Sequence, residues 1–429
     1  MERAEWRPRR PSGTALHAAF REGFPGVLAE AEARAGMPPR VRAEVARYLG
    51  CGDVRRGFVQ VRCAGCRSSS LVAFSCKQRG LCPSCGARRS QETAALCGEL
   101  LPEVPYRQWT LSASFPLRWT LVKHPKLLAA LERRLVRAVW AWARRCAKRL
   151  GAEGRGQGAA VGFRQYFGSA LQLTPHLHVL VPEGVWTEEA RWVEVPPPSE
   201  GEVARILRRV VRGVAKDFAR VGEAWPEDGL EALWLEGLQG RFALGPEGER
   251  KRAGRRVAVL EGFSLHADTW VHGHDRAGLE RLCRYGSRGP VANERLSRRE
   301  DGRFEYRTRK GQVLVFTAEA LVKRLLAVMP PRGVHLTRFH GAFAPNAALR
   351  SRVVRPAPEP STERASPVGA GCVVEREEAS VRRPRLDWAT LQRKTFEADV
   401  WKCPCGGRRR VVAVVSDRRT AEEVLRNMV

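Results

Sequence analysis

The alternation of apolar and polar positions divides the chain into a helical start, a cysteine-rich stretch and a mixed centre. Residues 15–33 and 41–49 carry apolar side chains at helical spacing, with breaks expected at Pro25 and at Pro38-Pro39. From residue 108 the period changes, and 108–115 reads as a strand. Residues 126–150 form a long amphipathic helix, with Leu127, Leu131, Leu135, Val139, Trp142, Cys146 and Leu150 on one stripe and Gly151 as its C-terminal cap. Residues 161–167 and 171–186 then read as strands around a turn near Gly168-Ser169. Next come an amphipathic helix over 203–221, a strand over 257–266 and a helix over 276–285 capped by Asp275. Strands and helices mix without regular βαβ alternation. That predicts an α+β fold with an antiparallel sheet.

Composition shifts suggest the domain plan. Residues 1–50 are helical, and 51–100 hold seven of the twelve cysteines. The central domain spans 104–350. A Pro-, Ser-, Glu- and Arg-rich linker follows at 354–385, and a small element with Cys403-Pro-Cys405-Gly-Gly occupies 386–429. The formal charge of +29, from 75 Lys and Arg against 46 Asp and Glu, favours a polyanionic partner, and nucleic acid is the commonest. No run of 18 apolar residues predicts a membrane span, and the N-terminal residues lack the apolar core of a signal peptide. The expectation is a cytoplasmic, nucleoid-associated protein with reduced thiols, whose clustered cysteines bind metal.

Cys63-Ala-Gly-Cys66 and Cys82-Pro-Ser-Cys85 are two Cys-x-x-Cys pairs. Two such pairs can close a tetrahedral thiolate shell, so Cys63, Cys66, Cys82 and Cys85 are the expected structural Zn²⁺ ligands. Cys51 and Cys76 are extra thiols that can replace one of the four or simply pack. Lys77, Arg79, Arg88 and Arg89 lie nearby and fit either phosphate contact or a solvated face. A different signal is His176-Leu-His178 inside an apolar run. On a strand these two imidazoles share one face, an arrangement suited to a divalent metal. Taken alone, the pair is a weak signal.

Several longer stretches resemble one family. Residues 62–66, 74–89 and 105–109 resemble the zinc-binding N-terminal region of bacterial rolling-circle insertion-sequence transposases. Residues 167–178 resemble their HUH strand (His, hydrophobic residue, His). Leu279-Glu-Arg-Leu-Cys-Arg-Tyr285 resembles their tyrosine helix, and residues 338–346 resemble the block that follows. Cys403-Pro-Cys405-Gly resembles a C-terminal element. The match runs in order from about residue 40 to 355.

The resemblance implies an HUH-type antiparallel sheet flanked by helices, preceded by a small helical zinc-binding domain. It implies a transposase that nicks and rejoins single-stranded DNA at insertion-sequence ends and transfers it to target DNA. Tyr285 would be the nucleophile, and His176 and His178 would hold catalytic Mg²⁺ or Mn²⁺. Gln165, on the neighbouring expected strand, is the first choice for a third ligand, ahead of His266 and Asp268. Tyr166 and Tyr306 read as packing residues. Some members carry two tyrosines four residues apart; here the earlier position is Arg281. A single-tyrosine chemistry then calls for a second subunit or a 3′-hydroxyl as the other nucleophile. Two other readings compete: a zinc-containing DNA-binding protein without catalysis, and a metal-dependent nuclease that activates water.

Overall fold

The computed structural model describes residues 10–115, 117–218, 255–331, 333–356 and 386–427. Of the expected linker, 357–385 lies outside the described residues, as does the tail of the expected 203–221 helix beyond 218. Helices Ala15–Arg34 and Pro39–Leu49 open the chain. The first runs straight through Pro25, against expectation. Its buried stripe of Leu16, Ala19, Phe20, Val27 and Ala31 outweighs the one backbone donor that proline lacks. Strands β1 (Phe58–Cys63) and β2 (Ser69–Ala73) form an antiparallel hairpin, followed by helix Pro83–Leu100.

Strand β3 (Tyr106–Ser112) enters the central sheet, and helix Pro125–Arg149 leads to β4 (Ala159–Phe167) and β5 (Leu173–Pro182). The expected 171–186 strand is two elements. After Pro182 the chain leaves the sheet, and β6 (Gly184–Trp186) pairs instead with β7 (Trp192–Glu194). Helix Glu200–Phe218 follows. The expected 257–266 strand is a hairpin of β8 (Val257–Leu260) and β9 (Phe263–Val271). Its two-residue turn, Glu261-Gly262, has both φ values positive (51° and 76°), which matches the twist of the flanking strands. Helix Arg276–Ser287 comes next, capped by Asp275, which accepts a 2.7 Å bond from the Gly278 amide. A separate meander holds β10 (Leu296–Arg298), β11 (Phe304–Arg307) and β12 (Val313–Phe316). Strand β13 (Thr337–Gly341) completes the central sheet. Its six strands run in the order β13-β4-β5-β3-β9-β8, all antiparallel. The fold is α+β.

Cross-strand register sorts the side chains. His178 lies opposite Thr110 and Phe163, and His176 opposite Ser112 and Gln165, so these residues share one face. Leu111, Leu177, Val179 and Arg164 point the other way and meet helices Pro125–Arg149 and Glu200–Phe218 through Leu128, Leu131, Leu135, Leu207 and Val210. The histidine face is covered by helices Pro83–Leu100 and Arg276–Ser287, where Phe163, Leu180, Tyr106, Cys97, Leu279 and Cys283 pack together.

One buried ionic network crosses the helix side. Glu132 is fully buried, accepts a 2.6 Å bond from Arg164 Nε and lies 2.9 Å from His340 Nε2. Burial alone would raise the Glu132 carboxyl, but His340 and Arg164 more than offset it, and its pKa falls below the ordinary value. Gly162 is needed here because a Cβ would collide with that carboxylate. The C-terminal segment is not a free-standing element. Strand β14 (Arg409–Val415) pairs with β1, giving the order β14-β1-β2, and helix Trp388–Phe396 packs against Pro83–Leu100. Glu132→Ala leaves Arg164 buried without its counter-charge and should cost about 3–5 kcal/mol. Urea unfolding of the variant should move to a clearly lower midpoint; an unchanged midpoint would mean that the network is dispensable.

Candidate active site and metal centres

Among the described residues, eight cysteines form two four-thiol groups, each with all its sulfurs within 4.8 Å of one another. The first joins Cys51, which follows helix Pro39–Leu49, to Cys76 beyond β2 and to Cys82 and Cys85 at the start of helix Pro83–Leu100. Its Sγ–Sγ distances include 3.8 Å for Cys51–Cys82 and 3.6 Å for Cys76–Cys85. A tetrahedral Zn²⁺ with Zn–S near 2.3 Å sets sulfurs roughly 3.8 Å apart, so the group fits zinc. Cys63 and Cys66 belong to a second group with Cys403 and Cys405. The expected set of Cys63, Cys66, Cys82 and Cys85 is therefore not formed. Cys63-Ala-Gly-Cys66 sits at the turn of the β1–β2 hairpin, and the five residues of β2 run back about 17 Å before Cys76. The Cys82 and Cys85 pair instead takes both extra thiols, Cys51 and Cys76, and the Cys63 and Cys66 pair takes Cys403 and Cys405 from the far end of the chain.

The first centre bears on the tyrosine helix. Cys82 and Cys85 fix the start of helix Pro83–Leu100, and that helix grips Arg276–Ser287 along its length. Ser90 Oγ donates to the Arg284 carbonyl at 2.7 Å and lies 3.0 Å from Ser287 Oγ. Arg284 donates to Gln91 at 2.9 Å. Arg276 donates to the Leu101 carbonyl at 2.8 Å and also bonds the Gly98 carbonyl. At the far end Gly286 touches the sheet, where an added Cβ would lie 2.7 Å from the Phe163 ring.

This docking brings Tyr285 to the histidines. Its ring centre lies 5.2 Å from that of His178, edge to face, and the two imidazoles are 4.9 Å apart. His176 Nδ1 lies 2.8 Å from the Thr174 carbonyl, which must accept, so Nδ1 carries the proton and Nε2 a lone pair. His178 Nδ1 lies 3.1 Å from Thr110 Oγ1 and 3.3 Å from the Gln108 amide nitrogen. The Gln108 nitrogen can only donate whereas the Thr110 hydroxyl can donate or accept, so Nε2 is a lone pair only in the tautomer whose Nδ1–H donates to Thr110; Nε2 itself is buried with no partner. Burial holds His176 down to about 4 and His178 well below its ordinary value, so both rings are neutral and able to ligate.

Gln165 completes the cluster. Its Nε2 donates to the carbonyls of Tyr285 and Gly286, both at 2.8 Å, which fixes the amide and turns Oε1 away; that oxygen is buried with no partner. The two other ligand candidates sit elsewhere. His266 pairs with Thr110 on β9, two strands from His178 and on the order of 10 Å away. Asp268 is exposed and paired with Arg256 at 3.1 Å. Among the described residues no third His, Cys, Asp or Glu joins the two histidines in a metal-sized group.

Two guanidiniums flank the phenol, Arg288 at 4.7 Å and Arg309 at 5.2 Å from its ring centre. No sequence pattern pointed to Arg309, which follows β11. Arg281 lies 3.6 Å from Asp275 at the helix start, so the position four before Tyr285 holds an ion pair rather than a second nucleophile. Tyr166 and Tyr306 are buried, and burial raises the Tyr166 hydroxyl to about 12.

A family model described as "Putative transposase" matches residues 159–351, which carry His176, His178, Gln165 and Tyr285. A second, described as "Transposase zinc-binding domain", matches residues 20–113, which carry all four thiols of the first centre. The chain belongs to the IS91-type transposase family. No curated protein and no solved structure matches it. Structural zinc in this transposase rests on the zinc-binding domain match and on the thiol geometry. Among the described residues no helix is long and apolar enough to cross a membrane. Gly286→Val should push the tyrosine helix off Phe163 and cut DNA processing at least tenfold while zinc content, read by elemental analysis, stays at the wild-type value. Full activity would show that the close approach at Gly286 does not set the site.

Proposed function

We propose that this transposase nicks and rejoins single-stranded DNA through Tyr285, with a divalent Mg²⁺ or Mn²⁺ held by His176, His178 and Gln165. The observation that carries the reading is the pair of buried, unpartnered side-chain atoms, His178 Nε2 and Gln165 Oε1, beside a tyrosine flanked by two arginines. Such atoms are costly to bury without a partner, and a cation removes the cost.

Tyr285 Oη attacks the scissile phosphorus. The bond from phosphorus to the 3′ oxygen breaks, and a 5′-phosphotyrosine forms. The phenol loses its proton, and the departing 3′ oxygen gains one. When bound, the divalent ion supplies Lewis-acid polarisation of the phosphate. Arg288 and Arg309 lie where they can balance charge on the phosphoryl oxygens, and Gln165 holds the backbone of Tyr285 and Gly286 in place. A 3′-hydroxyl of another strand then attacks the phosphotyrosine and releases Tyr285. The bond energy is conserved throughout, so no nucleotide triphosphate is needed. With Arg281 four residues before Tyr285, the second nucleophile is that 3′-hydroxyl or the tyrosine of a second subunit.

With Mg²⁺ or Mn²⁺ and a single-stranded oligonucleotide carrying the element's end, the protein should form an adduct that survives SDS. Tyr285→Phe should abolish the adduct with binding intact, and His176→Ala should slow its formation by about 100-fold or more. Cleavage without any adduct in the wild type would favour a water-activating nuclease. Binding without cleavage would favour a protein that only binds DNA.

A further inference from the structure

We infer that Cys63, Cys66, Cys403 and Cys405 hold a second structural zinc ion that clasps the C-terminal segment onto the N-terminal module. The zinc-binding family match ends at residue 113 and includes only two of these four thiols. The geometry is that of a built site. Cys63 and Cys405 sulfurs are 3.5 Å apart and those of Cys66 and Cys403 3.7 Å, near the edge of a ZnS₄ tetrahedron and far beyond a disulfide bond.

Two short loops face each other to make it. Cys63-Ala-Gly-Cys66 is closed by the Cys63 amide donating to the Ser68 carbonyl at 2.9 Å. Cys403-Pro-Cys405-Gly-Gly407 is closed by the Gly406 amide donating to the Cys403 carbonyl and the Cys403 amide donating to the Gly407 carbonyl, both at 3.0 Å. The Gly407 amide donates to the Cys405 sulfur at 3.4 Å, an interaction that favours thiolate. The Ala64 amide bridges the loops by donating to the Arg408 carbonyl at 2.9 Å. Two glycines permit this approach: Gly406 has φ +83°, and a Cβ on Gly407 would lie 2.8 Å from the Cys63 sulfur.

The two centres differ in burial. In the first, Cys51, Cys82 and Cys85 are part of the main core, whereas Cys66 and Cys405 of the second are exposed. Two small clusters lie beside the second centre: Val61, Ala389 and Val400 with Trp388 and Trp401 against them, and Phe58, Val415 and Ala421 with Val424 and Leu425. Metal bonds would add to these clusters and to the β14–β1 ladder in holding residues 386–427.

Elemental analysis of the full chain should give two zinc ions, and Cys403→Ser/Cys405→Ser should give one. In that variant, hydrogen exchange at the β14 amides should rise at least tenfold while exchange in β3 to β5 is unchanged. One zinc per chain in the wild type, or two retained in the double variant, would overturn the clasp. Should the double variant fail to fold, titrating the wild type with a colorimetric chelator decides the matter. Two zinc ions released, one markedly faster, supports the clasp, and a single ion refutes it.

Discussion

The structure depends on one contact, the seating of helix Arg276–Ser287 against helix Pro83–Leu100. The in-line attack proposed for Tyr285 would tolerate little displacement of the nucleophile, so it calls for a helix fixed in both position and rotation. Ser90, Gln91 and Arg284 fix the helix along its length, and Arg276 ties its start to the carbonyls at the end of its partner. The partner is itself anchored at Cys82 and Cys85. A closed four-thiolate centre with no open position therefore matters for chemistry it cannot perform. It sets the height at which the tyrosine meets the sheet.

The sheet supplies the other half of the site through its pleat. Neighbouring strands put Gln165 opposite His176 and Thr110 opposite His178, so the proposed metal ligands and the hydroxyl beside His178 come from adjacent positions on β3, β4 and β5. Burial keeps both imidazoles neutral. The helix side of the same sheet carries the Arg164, Glu132 and His340 network, one residue along from Gln165. A single strand, β4, thus presents Gln165 on the histidine face and a buried ion pair on the other, and a one-residue slip would exchange them.

Much of this was legible in the chain. The amphipathic helices and the alternation around His176-Leu-His178 survive because their periods reflect burial on one face, and the helix ending near Tyr285 survives because Asp275 caps it. What sequence could not supply was pairing over distance. The cysteine spacing pointed to one zinc set, but β2 carries the chain away from Cys66 before Cys76, and Cys403 and Cys405 return more than three hundred residues later. Pro25 misled in the same way, since tertiary packing carries the helix through it. Arg309 left no trace because a lone arginine in a basic chain carries no period.

In the proposed reaction Tyr285 forms the covalent bond to DNA. That bond is tested most directly by trapping the wild-type protein on its oligonucleotide, digesting both partners and locating the residual nucleotide by tandem mass spectrometry. The expected result is a phosphonucleotide on the peptide carrying Tyr285 and on no other. Attachment at Tyr166, at Tyr306 or at a serine would contradict it.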